Sequence, residues 1–223
     1  MRPVLAVIGI AVAALIISAL VAPPGKKDLT SNIQERDDKR RQDPTPTNAI
    51  PSTTGSASLP ASDPFNPPAE GAISAIITVK GRGEIGVQLY PKAAPKTVKR
   101  IVELFNSKFY DGIKIHRVEP GFVVQAGDPE TRTQGVDAPG IGSHGSGQTI
   151  PFEKNELKNV TGAMSMALSQ AASDTGDSQW FINLSNNHAL DNQYCVFGKV
   201  TSGLDKVGQI KKGDTIEKIV VVK

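Results

Sequence analysis

The stretch IHRVEPGFVVQAGD, residues 115–128, sets an arginine, a histidine and a glutamine into a pattern that otherwise spells strand, Pro-Gly turn, strand. Period-two alternation puts Arg117 and Gln125 on the same face as Val123. Charged and amide groups are costly to bury without partners, so on a half-buried hairpin they either face water or are held for use. A guanidinium is a fixed fork of donors, and a glutamine carries a donor and an acceptor at one end. For a single polar residue in a strand, facing water is the commoner case, and the rest of the chain decides between the two.

Other chemistry is poorly supplied. His116, His144 and His188 follow no metal-ligand spacing and have no cysteine cluster nearby. Ser143 and His144 adjoin in a Gly-Ser-His-Gly-Ser-Gly run, residues 142–147, that lacks a nucleophile elbow and reads as a flexible loop. Cys195 is the single cysteine, and its Tyr-Cys-Val-Phe surroundings suit a small buried hydrophobe. Gly81-x-Gly83-x-x-Gly86 matches a dinucleotide fingerprint in form only, because a strand and not a helix follows its last glycine. Asn159-Val-Thr161 and Asn183-Leu-Ser185 match the glycosylation pattern.

The elements that must position these residues are mostly short strands. Apolar alternation predicts strands at 73–79, 85–90, 113–118, 122–126, 162–168, 179–184, 195–200 and 216–222, separated by Gly-, Pro- and Asn-rich loops. Pro95 opens a helix that carries Val98, Ile101, Val102 and Phe105 at helical spacing, and Leu204, Val207 and Ile210 predict a second, short one. Many strands with two helices indicate an antiparallel barrel or sandwich and exclude a doubly wound sheet.

The 223 residues are 39% hydrophobic, which allows one domain with appendages. Basic residues number 25 and acidic ones 22, mixed along the chain, so a nucleic-acid surface is not indicated. Residues 1–24 contain an uncharged apolar run, Val4 to Ala22, which as a helix spans about 28 Å against a hydrocarbon core of about 30 Å. It reads as a transmembrane anchor or, in competition, a signal segment without a clean cleavage site. Residues 25–71 lose all apolar periodicity and are rich in Pro, Ser and Thr, as expected of a disordered linker. Residues 72–223 form the globular domain.

Within that domain six ordered stretches, APKTV (94–98), FYDG (109–112), HRVEPGFVVQAGDP (116–129), GAMSMA (162–167), DSQWFI (177–182) and VFGKV (196–200), closely resemble the cyclophilin family of peptidyl-prolyl cis/trans isomerases. The resemblance implies a mainly β fold, a closed eight-stranded antiparallel barrel capped by two helices, with the substrate groove on its outer face. It implies catalytic roles for Arg117, Phe122 and Gln125 and substrate contacts from Val123, Ala167, Gln179, Phe181, Leu190 and Tyr194. Leu168, Ala189 and Tyr194 stand where asparagine, tryptophan and histidine are frequent in that family, and the loop Ser169 to Gly176 lacks its usual Gly-Pro-Asn order.

The implied partners are proline-containing polypeptides, with no cofactor and no metal. The chain is expected to act as a monomer, tethered to a membrane through its N-terminal helix. The short segment before that helix favours an extracytoplasmic domain, whereas Lys26, Lys27, Arg36, Lys39, Arg40 and Arg41 after it would by the positive-inside rule keep the domain in the cytosol. Lacking the tryptophan at Ala189, it is expected to bind cyclosporin weakly. The competing reading is a non-catalytic peptide-binding module or holdase on the same scaffold.

Overall fold

The computed structural model describes residues 70–222. The apolar run at 4–22 and most of the expected linker lie outside the described residues. Among those described, no helix is long and apolar enough to cross a membrane.

Eight strands form one antiparallel sheet in the order β3-β4-β6-β5-β7-β2-β1-β8. The strands are β1 Ile73–Val79, β2 Gly83–Leu89, β3 Arg117–Glu119, β4 Val123–Ala126, β5 Ala163–Met166, β6 Trp180–Asn183, β7 Val196–Ser202 and β8 Ile216–Val222. Alternation decides their facing: Ala75, Ile77 and Val79 of β1, and Ile85, Val87 and Leu89 of β2, point into one core. The β1–β2 register, with Ile77 opposite Ile85, stacks these rows.

The curled sheet is a half-barrel and not the closed barrel expected. β3 pairs only with β4, and β8 only with β1. The residues leading into the two edge strands do meet: Gly112 and Ile115 donate to Ile216 and Asp214 carbonyls at 2.9 and 2.8 Å, and Lys114 bridges Thr215. β3 then ends after three residues at the Pro120–Gly121 turn, too short to carry a ladder along β8.

Helix α1, Pro95–Asn106, covers the core with Val98, Ile101, Leu104 and Phe105. Ala94 offers no capping side chain, and Glu153 takes that role instead, accepting from the N–H groups of Lys96 and Thr97 at 2.9 and 2.7 Å. Helix α2, Leu204–Val207, is a single turn that buries Val207. Trp180, Tyr110, Phe197, Met164 and Met166 fill the centre, each contributing on the order of 1.5–3 kcal/mol by leaving water. Tyr110 packs edge-on against Phe105 and donates to the Ser178 carbonyl at 2.7 Å.

Candidate active groove

Outer-face residues of four adjacent strands build the groove floor. On β4, Val124 and Ala126 enter the core, which turns Val123 and Gln125 outward. Arg117 lies opposite Gln125, Gln125 opposite Phe181, and Phe181 opposite Ser165. A single row across β3, β4, β6 and β5 therefore reads Arg-Gln-Phe-Ser, so the polar residues of the hairpin line a groove on its outer face.

Leu190 and Tyr194 supply the roof. With the floor they enclose a cavity of about 310 Å³, lined by Arg117, Phe122, Val123, Gln125, Ala167, Leu168, Phe181, Leu190 and Tyr194. All of the expected site residues are thus brought together except Gln179, and Leu168 joins them. Phe181 meets Tyr194 edge-on at 5.6 Å between ring centres. A larger cavity, about 770 Å³, opens beside α2 among Leu204, Val207 and Ile210, and no groove residue borders it.

Arg117 is the only charged lining residue. Its side chain is 45% exposed, with Nε 3.6 Å from a Glu119 oxygen, a solvent-screened pair of small energetic weight. Nη1 donates to Gln125 Oε1 at 3.3 Å, and the guanidinium lies 5.7 Å from the centre of the Phe122 ring. Gln179 stands one step behind: its Oε1 accepts from Gln125 Nε2 at 3.0 Å, while its own Nε2 donates to the carbonyls of Gly142 and His144.

The turn that carries Leu190, a single 3-10 turn at His188–Leu190, is tied to the sheet by polar groups invisible in the sequence pattern. Asn187 donates to the Phe122 carbonyl at 3.0 Å and to Asn183 Oδ1 at 2.8 Å. Asp191 accepts from the Asn159 N–H at 2.7 Å and pairs with His188 at 3.0 Å. Burial pushes the Asp191 carboxyl up, but hydrogen bonds from Asn159 and His188 outweigh it and hold the group below the ordinary carboxylate value. Beneath the turn, Ser165 and Asn183 both donate to Asn159 Oδ1, at 2.7 and 3.3 Å. Asn159 and Asn183, the two asparagines that match the glycosylation pattern, are fully buried members of this network.

Two further expectations meet the structure directly. The loop 142–147 is pinned by hydrogen bonds: Gly142 and His144 donate to Asp128, and Gly147 donates to Asp177. Short polar residues could have signalled a loop, but not that two buried or half-buried carboxylates anchor it. Cys195 is buried, and loss of solvent pushes its thiol up to about 12, which keeps it protonated and unreactive at neutral pH. Among the described residues no three His, Cys, Asp or Glu side chains gather into a metal-binding group.

His116, next to the arginine, is 6% exposed, and neither ring nitrogen has a hydrogen-bond partner. Burial lowers its pKa, against the pull of nearby Asp128. The ring is therefore held neutral beside the Arg117 charge.

Sequence and fold have clear counterparts. Residues 74–223 match the family model described as cyclophilin type peptidyl-prolyl cis-trans isomerase. The chain is 42% identical over 138 residues to peptidyl-prolyl cis-trans isomerase B of Bacillus subtilis, covering 61% of this chain and 89% of that protein. It is 40% identical over 154 residues to a peptidyl-prolyl cis-trans isomerase of Helicobacter pylori, covering 67% and 88%. A cyclophilin type isomerase of Cryptosporidium parvum superposes with a TM-score of 0.60 at 26% identity, over 68% of this chain and 98% of that one. The same enzyme crystallised in the presence of the dipeptide Ala-Pro gives 0.58 at 27% identity, over 67% and 99%. With the family match over residues 74–223 and an arginine-bearing groove on the outer face of the sheet, the chain belongs to the cyclophilin-type peptidyl-prolyl cis-trans isomerases.

Proposed function

We propose that the groove binds the proline of an X-Pro segment and that Arg117 catalyses rotation about the preceding peptide bond. The observation that carries this reading is the position of the guanidinium, the one charged group in a groove otherwise lined by Gln125, Tyr194 and apolar side chains. Rotation must break C–N conjugation, which sets a barrier of about 18–20 kcal/mol. As the bond twists, the prolyl nitrogen turns pyramidal and its lone pair localises. Arg117 then gains an acceptor that the planar ground state does not offer, so its hydrogen bond favours the transition state over the substrate. Phe122, Phe181 and Leu190 hold the pyrrolidine ring, with Val123, Ala167 and Tyr194 completing the wall. Gln125 keeps the guanidinium aimed and can donate to the substrate carbonyl. No covalent intermediate enters this scheme.

The Ala-Pro dipeptide used with the Cryptosporidium enzyme supports proline-containing peptides as substrates here. The apolar run at 4–22 and the Pro-rich tract at 25–71 support a tethered enzyme, its helix in the membrane and its domain acting as a monomer on extracytoplasmic polypeptides as they fold. Ala189 supports weak cyclosporin binding: it is exposed on the roof turn, and its methyl adds nothing to the groove lining.

Exchange NMR on a short Ala-Pro peptide tests the central reading with the full chain. Cis–trans cross-peaks are expected with the natural protein. Arg117→Ala should still broaden the peptide signals by binding yet produce no cross-peaks, and exchange at the natural rate would refute the mechanism.

A further inference from the structure

The surroundings of Gln179 dictate which way round its amide sits. At one end lie two backbone carbonyls, Gly142 O at 3.0 Å and His144 O at 2.7 Å. A carbonyl only accepts, so that end must be the NH2 group, and the oxygen must face Gln125, 3.0 Å away. An oxygen there demands the NH2 group of Gln125. The Gln125 oxygen is then left facing Arg117, whose Nη1 donates to it at 3.3 Å. Each amide passes its orientation to the next, and the series ends in an acceptor beside the guanidinium. If either amide were reversed, Arg117 would meet an NH2 group, donor against donor.

The carbonyls at the start of the series are themselves held. The N–H groups of Gly142 and His144 both donate to Asp128 Oδ2, at 2.6 and 3.2 Å, while Oδ1 accepts from the Glu130 N–H at 2.9 Å. Asp128 is fully buried. Gly142 sits at φ +92°, a backbone that side chains rarely permit, and so presents its N–H to Asp128 and its carbonyl to Gln179.

We infer that Gln179 and Asp128 are positioning residues for the isomerase reaction: Asp128, through the Gly142–His144 backbone and Gln179, sets the amide orientation of Gln125 and thereby the aim of Arg117. The inference rests on the reading of Arg117 as the catalytic donor. Gln179 then acts through Gln125 instead of touching substrate, and the 142–147 loop becomes part of the catalytic apparatus.

Gln179→Glu and Gln179→Met in the full chain test this, with folding checked by circular dichroism and turnover followed by NMR exchange from pH 8 to pH 5. A carboxylate cannot donate to the Gly142 and His144 carbonyls and is repelled by both, so it swings away from them and from Gln125. That frees the Gln125 amide, and Gln179→Glu should cut kcat about tenfold at pH 8. Protonation restores one O–H donor, so the ratio of variant to natural kcat should climb as pH falls. Taking the ratio cancels the titrations of His144, His116, Asp128 and Glu119, which both proteins share. Gln179→Met has no polar end and should stay low at every pH, by the same factor on peptides with different residues before proline. A pH-independent Gln179→Glu ratio, a Gln179→Met protein as fast as the natural one, or a loss confined to KM that varies with the residue before proline would overturn the inference. Should Gln179→Glu not fold, Gln179→Met decides alone. Arg117→Ala, run alongside, separates the two claims: full activity there defeats the catalytic reading itself, whereas loss there with unimpaired Gln179 variants defeats only the relay.

Discussion

Arg117 and Gln125 face each other as a register pair across β3 and β4, with the guanidinium donating to the amide oxygen at 3.3 Å. An arginine 45% exposed would otherwise sample many rotamers, so this contact, with the Phe122 ring at 5.7 Å, narrows its range. Gln125→Leu keeps the volume and removes the acceptor. It should lower kcat/KM about tenfold or more, chiefly through kcat, since a hydrogen bond to a charged group is worth about 1.5–3 kcal/mol. Steady-state kinetics on an Ala-Pro peptide check this, and an unchanged kcat would show that Arg117 needs no partner.

The Asn159 side chain accepts from two buried donors, Ser165 Oγ and Asn183 Nδ2. Asn159→Ala strands Ser165 and leaves Asn183 with the Ala163 carbonyl, so stability should fall by about 2 kcal/mol. The roof turn also loosens, because the Asn159 backbone holds Asp191 and Asn187. KM should therefore rise by more than kcat falls. Urea unfolding and kinetics on the same preparation check both effects, and an unshifted unfolding midpoint would contradict the first.

The strands could be read from the sequence because β1 and β2 keep an almost unbroken inside-outside alternation, and β8 is rich in Ile and Val. The ends of β5 and β6 could not be: Ala167 and Gln179 still share a backbone hydrogen bond there, yet both lie outside the strands. Closure of the barrel was equally hidden, since it depends on where a three-residue strand stops. Among the site residues, Phe122, Phe181 and Leu190 follow from motif and position. Asn159 and Asp191 look like ordinary turn residues, and their partners lie 3 to 32 positions away. The orientation of Gln179 depends on carbonyls 35 and 37 residues distant, which local patterning does not report.

Burial keeps His116 neutral in the folded chain, with a pKa below its ordinary value near 6.5. The unfolded chain binds a proton near pH 6.5 while the folded one does not, so stability must fall as pH drops below that value. Asp191 and Asp214, both held below the ordinary carboxylate range, add to this loss only at lower pH, below about 4. Thermal unfolding of the natural chain should therefore show a falling midpoint between pH 6.5 and 5, and His116→Leu should flatten that segment. An identical slope in the variant would assign it to other groups.

Ala189 lies on the roof turn one residue before Leu190, exposed and outside the lining. A tryptophan there would add a large apolar face and an N–H donor to the rim. Ala189→Trp should tighten cyclosporin inhibition about thirtyfold, the equivalent of about 2 kcal/mol, with little change in turnover of short peptides. Titration of the drug against both proteins checks this. Tight inhibition of the natural chain, or no gain from tryptophan, would contradict it.

The donor role of Arg117 is tested most directly by the ratio of kcat/KM for the natural chain to that for Arg117→Ala, measured on one Ala-Pro peptide with folding verified for both. One aimed donor lost from an exposed groove should reduce kcat/KM on the order of a hundredfold. Arg117→Lys should recover little of it, because a point-like ammonium does not reproduce the planar fork. A folded Arg117→Ala protein that turns over within twofold of the natural chain would contradict the account.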